Sequence, residues 1–500
     1  VKVILLLSGL GLLALFAELF RFKKVLYPLM LIGILGAIAL AVSYWWLDDG
    51  SMAQYFNGMV KPNHQIPSAD EMQALRTNPN LHGFASMLIF DRSSIFLSVI
   101  LLSTTFLWLI LSKDFFQSET SRTDHYALIL FALTGAIILT CYSNLAMLFL
   151  GIEILSIPLY VLAGSRKDDL ASNEASFKYF LMGAFASGFL LFGITLVYGA
   201  AGSFDMKTIG EFISINSEHL PSFLYAGIIM MLVGLLFKVS AAPFHFWAPD
   251  VYQGSPTHVT AFMSTVVKTA AIAAIMRLFL TAAFGGASDF WIPVVGVCCG
   301  LTLVVGNITA AVQDNVKRMF AYSSISHAGF LLLAIVGYTT FSSRVIIYYT
   351  AAYSIASIAA FTVLVNVMKY MGNDKVESFN GLGKKNPLLA VAMTIALLSL
   401  AGIPPTAGFF AKYYVFNAAL AGAQNHPWLV VIAILSSLVG VYYYFRIIIA
   451  MYFKPAVNEN PVTADNMHQA LLFITAVLIL VLGLLPDLIL NIGTYTQVTP

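Results

Sequence analysis

The chain has 500 residues, a net charge of +2, 59% hydrophobic residues and only 10% charged ones, with a mean hydropathy of +0.85. A soluble globular domain carries roughly 25% charged residues, so this composition excludes one and identifies an integral membrane protein, with the lipid bilayer as its surroundings. The small net charge gives no footing for nucleic acid, and none is expected as a partner.

A span needs roughly 20 apolar residues, and about fourteen candidates fit the chain. The first two cover 1–20 and 26–47, and the apolar start reads as a span rather than as a cleaved address. A polar stretch from Asp48 to Asp91, containing Pro62, Pro67 and Pro79, reads as an external cap. Spans follow at 92–112, 125–142, 144–164, 175–200 and 222–240. After a break come 256–284, 288–312, 319–338 and 343–370, then an interrupted span at 387–421, and finally 427–453 and 468–490.

Lysines and arginines of short loops set orientation. With both termini outside, the inner connections hold Arg21, Lys23, Lys24, Lys113, Arg122, Arg166, Lys167, Lys317, Arg318, Lys369, Lys375, Lys384, Lys385 and Lys454. The outer ones then hold only Lys2, Lys61, Arg76, Arg92, Lys207 and Arg344. That asymmetry predicts both termini outside.

Two interruptions organise the rest. The first runs from Lys238 through Ala241, Ala242 and Pro243 into Phe244-His245-Phe246-Trp247; the second is Gly402-Ile403-Pro404-Pro405. Proline in a span frees backbone groups that only a protein-lined or water-lined interior can satisfy. Each break falls in the fourth span of a run of five, and broken helices in matching places are a mark of inverted-repeat transporters. The predicted fold is therefore all-α, with two inverted five-helix repeats at 125–284 and 285–453. They are flanked by 1–124 and 454–500.

Charged residues inside spans cost several kcal/mol, roughly 3 for a central lysine, and such residues serve pathways. Glu153, Lys178, Lys238, Lys268 and Lys412 are of this kind, and His327, in YSSISHAGF, reads as a relay between the two units. Burial lowers a lysine's pKa, whereas a nearby carboxylate raises it; an amine balanced between the two can take and release a proton near neutral pH. Lys178, near its helix start, reads equally as a snorkelling end residue, and His327 equally as a histidine satisfied by Ser or Tyr neighbours. Glu153 reads as a proton carrier or a fixed counter-ion. His245 and His258 are expected to cap backbone, Arg277 and Arg446 to anchor at interfaces, and the tyrosines of 442–444 to pack. Cys141, Cys298 and Cys299 form no C-x-x-C or Cys/His cluster and read as inert buried thiols.

The segments PFHFWAPDVYQGSPTHVTAF (243–262), VVKTAA (266–271) and GIPPTAGFFAKYYVF (402–416) closely resemble the N subunits of bacterial respiratory complex I, NADH:quinone oxidoreductase. These belong to the antiporter-like membrane subunits. The related L and M subunits and the Mrp-type sodium/proton antiporter subunits carry an HTWLPDA-like segment where this chain has HFWAPDV (245–251). His258 stands where the family often has proline, and Ala411 where it often has glycine. The resemblance implies a proton-translocating, non-redox subunit in the bacterial inner membrane, with subunits M and K beside it. It implies that Glu153 and Lys238 form an interacting pair, that Lys268 with His327 leads toward the second half, and that Lys412 is the terminal exchanging lysine. No nucleotide, flavin or iron-sulfur motif is present, so no cofactor is expected in this chain. An Mrp-like sodium/proton antiporter subunit is the alternative.

Overall fold

The computed structural model describes residues 1–17, 23–47, 82–83, 87–117, 123–280, 282–422, 426–456 and 462–491. Its helices are α1 (Lys2–Phe16), α2 (Lys23–Leu47), α3 (Arg92–Leu111), α4 (Lys113–Gln117), α5 (Thr123–Cys141), α6 (Leu145–Ala163) and α7 (Leu170–Ala201). Next come α8 (Met206–Ile215), α9 (Ser222–Lys238), α10 (Trp247–Gly254), α11 (Thr257–Phe262), a π-helical turn (Met263–Val267) and α12 (Lys268–Phe279). The second half holds α13 (Ala282–Gly285), α14 (Ser288–Ala311), α15 (Val316–Val336), α16 (Ser342–Met371), α17 (Leu382–Lys385), α18 (Pro387–Ala401), α19 (Ala407–Ala421), α20 (Pro427–Phe453), α21 (Asn466–Leu484) and α22 (Asp487–Leu490).

Eleven helical segments, with α11 to α12 counted as one, are long and apolar enough to cross a membrane; α1, α9 and α18 are shorter apolar helices. The fold is thus that of an all-helical membrane protein, and the helix edges fall within a few residues of those predicted. Most of the expected cap from Asp48 to Asp91 lies outside the described residues. What is described of it includes a strand pair, His82–Gly83 antiparallel to Leu88–Ile89, a small departure from the all-α expectation. The short helices between spans, α4, α8, α10 and α17, were not legible in the sequence, nor was the π-helical turn before Lys268; α8 is capped by the Asp205 side chain.

The predicted breaks have local causes. Helix α9 stops at Lys238 because Ser240 takes a positive φ of 62° and Pro243 has no N–H to offer the ladder. Helix α18 ends at Gly402, whose φ of 85° suits the left-handed cap only glycine takes without cost. Thr406 then enters α19 in an extended conformation. A cis X-Pro peptide occurs in each break, at Ala242-Pro243 and Pro404-Pro405.

Where hydrocarbon offers no hydrophobic drive between helices, small residues let backbones approach. Helices α7 and α9 meet in this way: a Cβ on Gly193 would stand 2.7 Å from the Gly227 carbonyl oxygen. The tightest approach is at the second break, where a Cβ on Gly408 would lie 1.7 Å from the Ser399 carbonyl oxygen. Gly408→Ala is therefore expected to cost about 1–3 kcal/mol or more through overpacking, seen as a lower melting temperature of the detergent-solubilised protein. Gly188→Ala, with nothing within 4 Å of the new methyl group, serves as the control; equal melting of both variants would contradict the tight break.

Candidate functional site: a buried line of amines and hydroxyls

Lys238, Lys268 and Lys412 are buried, at 4%, 2% and 6% exposure, so none snorkels out of the bundle. Helix α9 ends on Lys238 and aims it at α6 and α7: its Nζ donates to Ser156 Oγ at 2.6 Å and to Tyr179 OH at 3.3 Å. Ser156 lies one turn beyond Glu153 on α6, and Glu153, half-buried, accepts a hydrogen bond from Ser187 of α7. Glu153 is near enough for its charge to act on Lys238, yet no ion pair within 4.0 Å joins the two. Ser156, which takes the amine's hydrogen bond, and Glu153 thus share one helix a turn apart.

Lys268, the first residue after the π-helical turn, donates to the Ser324 carbonyl and, at 2.5 Å, to Ser324 Oγ on α15. His327 follows Ser324 by one helical turn. Its Nδ1 lies 2.7 Å from Tyr349 OH and its Nε2 3.3 Å from Tyr444 OH, and the Tyr444 hydroxyl also bonds Ser323. Lys268 and His327 do not touch directly; the serine-bearing turn of α15 joins them.

From His327 a small cavity leads to the second break, lined among others by Tyr349, Tyr353, Ser399, Gly408 and Ala411. It offers about 10 Å³ to the centre of a water molecule, about the minimum to hold one. Lys412 stands beside it on α19. Its Nζ donates to the Ala401 carbonyl, freed where α18 ends, at 2.7 Å and to Ser437 Oγ at 2.8 Å, and it lies 4.8 Å from the centre of the Phe330 ring.

Lys178 is placed apart from this line. Its side chain is 38% exposed and forms ion pairs with Asp250 at 2.8 Å and Glu174 at 2.5 Å. Pro243 stands five residues after Lys238, and Pro404-Pro405 lie between the ends of α18 and α19, before Lys412. The helix-end arginines differ from expectation. Arg277 is 8% exposed and ties α12 to Asp91 at 2.7 Å and to backbone carbonyls of Ile89, Thr140 and Tyr142, so it is an internal clamp. Arg446 covers the carbonyl of Ala311 at the end of α14, 2.9 Å away. The 442–444 tyrosines divide: Tyr442 points outward, whereas Tyr443 reaches Asn307 at 3.2 Å and Tyr444 reaches His327. Neither histidine caps backbone through Nδ1, which is unpartnered in both; His245 packs on Phe246 and His258 sets its ring edge-on to Phe115. The cysteines are free and buried.

Sequence reasoning missed Ser156, Tyr179, Ser187, Ser324, Tyr349, Tyr444 and Ser437. Their signal was a polar side chain recurring within an apolar span, which carries no partner by itself.

Residues 142–440 match the family described as NADH:quinone oxidoreductase/Mrp antiporter, TM. A relative from Cytophaga hutchinsonii described as NADH-quinone oxidoreductase subunit N is 42% identical, over 98% of this chain and 99% of its own length. A chain of respiratory complex I from Thermus thermophilus is 31% identical, covers 98% of both chains and superposes with a TM-score of 0.75. A chain of the Mrp complex from a Dietzia species shares the fold at a TM-score of 0.80 and 21% identity, over 98% of this chain and 96% of its own. The chain accordingly belongs to the NADH:quinone oxidoreductase/Mrp antiporter membrane family and, within it, to the NADH-quinone oxidoreductase subunit N family.

Proposed function

We propose that this chain moves protons across the bacterial inner membrane as a non-redox membrane-arm subunit of a complex I-type NADH:quinone oxidoreductase. Its proton-handling residues are Glu153, Lys238, Lys268, His327 and Lys412, with the ion-paired Lys178 outside the buried line. One observation carries the reading: Lys238, Lys268 and Lys412 lie inside the bundle, each bonded to hydroxyl or carbonyl oxygens, and, like the buried Lys317 at the start of α15, none forms an ion pair among the described residues. An ammonium so placed has no anion to offset its desolvation. The charge on a neighbour then decides whether it keeps its proton.

Glu153 is that neighbour for Lys238. Protons pass inward by way of Lys268 and the Ser324 turn, His327 hands them between Tyr349, Tyr444 and the cavity, and Lys412 exchanges them at the far end. Quinone reduction in partner subunits drives the cycle by altering the charge presented to the first pair. Electron transfer and its cofactors are assigned to those partners, with subunits M and K adjacent.

The eleven long helices and the three shorter ones support fourteen spans; an even number puts both termini on one side, and the lysine and arginine asymmetry of the loops is the ground for taking that side as outside. Five-helix units at 125–284 and 285–453, inverted relative to one another and flanked by 1–124 and 454–500, account for breaks at matching ranks.

In vesicles containing the purified complex, Lys238→Ala, Glu153→Ala or Lys412→Ala should each lower proton pumping and coupled quinone reduction about tenfold, the effect of raising a barrier by ~1.4 kcal/mol, with assembly intact. A fully assembled variant that pumps normally rejects the role of that residue, and sodium-dependent transport by the isolated chain would favour the antiporter reading instead. Tyr444→Phe removes the hydroxyl between Ser323 and His327 and is expected to slow pumping about three- to tenfold, as for loss of a hydrogen bond of ~1 kcal/mol. Tyr442→Phe, on the outward face, should leave the dye-monitored rate unchanged.

A further inference from the structure

Helix α10, the eight residues after the first break, is strapped from both sides. On its first turn Trp247 lies flat against Tyr179 of α7, with ring centres 4.6 Å apart and planes 7° from parallel. The indole N–H takes the Phe237 carbonyl at 3.0 Å. One turn later Asp250 divides its carboxylate, Oδ2 to Lys178 of α7 at 2.8 Å and Oδ1 to Arg318 of α15 at 2.8 Å. At the end of the helix, Lys317, also of α15 and 2% exposed, donates to the carbonyls of Gln253 at 3.0 Å and Ser255 at 2.5 Å.

Each strap reaches an amine of the buried line. Tyr179, the residue after Lys178, bonds Lys238. Ser324, on α15 six residues after Arg318, bonds Lys268. A short helix has little backbone cooperativity to hold its own place, so its register depends on these side chains.

We propose that Asp250 and Arg318 are positioning residues: the shared carboxylate locks α10 between the two halves of the chain, in the register that keeps Tyr179 on Lys238 and Ser324 on Lys268. A change at the first amine is then carried to the second through a packed element rather than through bulk water. The inference rests on the proton-path reading and adds to it a part that carries no proton itself.

The test uses the purified complex in lipid vesicles, with NADH oxidation and proton uptake followed together. Asp250→Asn, and separately Arg318→Gln, should lower the coupled rate about tenfold, as for loss of one charge-assisted hydrogen bond. Asp250→Glu should recover most of it, and Asp250→Asn should add little to Lys238→Ala because each breaks the same transmission from the first amine to the second. An assembled Asp250→Asn complex running at the normal rate overturns the inference, as does full additivity with Lys238→Ala. Loss of assembly that Asp250→Glu does not restore assigns the carboxylate to folding and also overturns it. A Lys238→Ala complex at the normal rate sinks the proton-path reading itself, whereas a defective Lys238→Ala beside a normal Asp250→Asn sinks only this inference.

Discussion

A cation in hydrocarbon and a broken helix in hydrocarbon are each costly, and the architecture depends on satisfying both in the same places. The second break does so directly: the carbonyl of Ala401, left without an intrahelical donor where α18 ends, takes the ammonium of Lys412. The first break solves the problem with other donors and acceptors. Trp247 covers the Phe237 carbonyl and Thr302 accepts from the Ala242 N–H at 2.8 Å. Lys238 is thereby free to point away from the break, at Ser156 and Tyr179 on the side of Glu153. The two breaks look alike as sequence, but one amine is bound to its own interruption and the other is turned toward a carboxylate.

Helix α15 connects the halves. Almost wholly buried, it presents Lys317 and Arg318 to α10, Ser324 to Lys268, His327 to Tyr349 and Tyr444, and Phe330 to Lys412. Ser324, His327 and Phe330 follow at three-residue steps along one strip of the helix, with Lys317 and Arg318 at its start. A rod that touches every buried amine except Lys238, and holds the helix next to that one, can transmit a displacement without a continuous file of water.

Much of the fold was legible because its signals are local. Hydropathy over some twenty residues places spans, proline and glycine end helices wherever they stand, and a lysine in an apolar run draws attention without any neighbour being known. The misreadings were of another kind. Arg277 looked like an anchor because it sits near a helix end; the structure buries it against Asp91, 186 residues earlier in the chain. Tyr444 looked like packing because its neighbours are aromatic; only its place on the helix turns it inward while Tyr442 faces out.

By itself the sequence determined the solvent this chain lives in, where its helices run, where two of them break and which charges they carry inside, since each follows from residues adjacent in the chain. Only tertiary structure decided what those charges meet. Lys238 finds Ser156 82 positions away and Tyr179 59 away, and Lys268 finds Ser324 at 56; a serine in an apolar span acquires a partner only when helix packing chooses which faces touch.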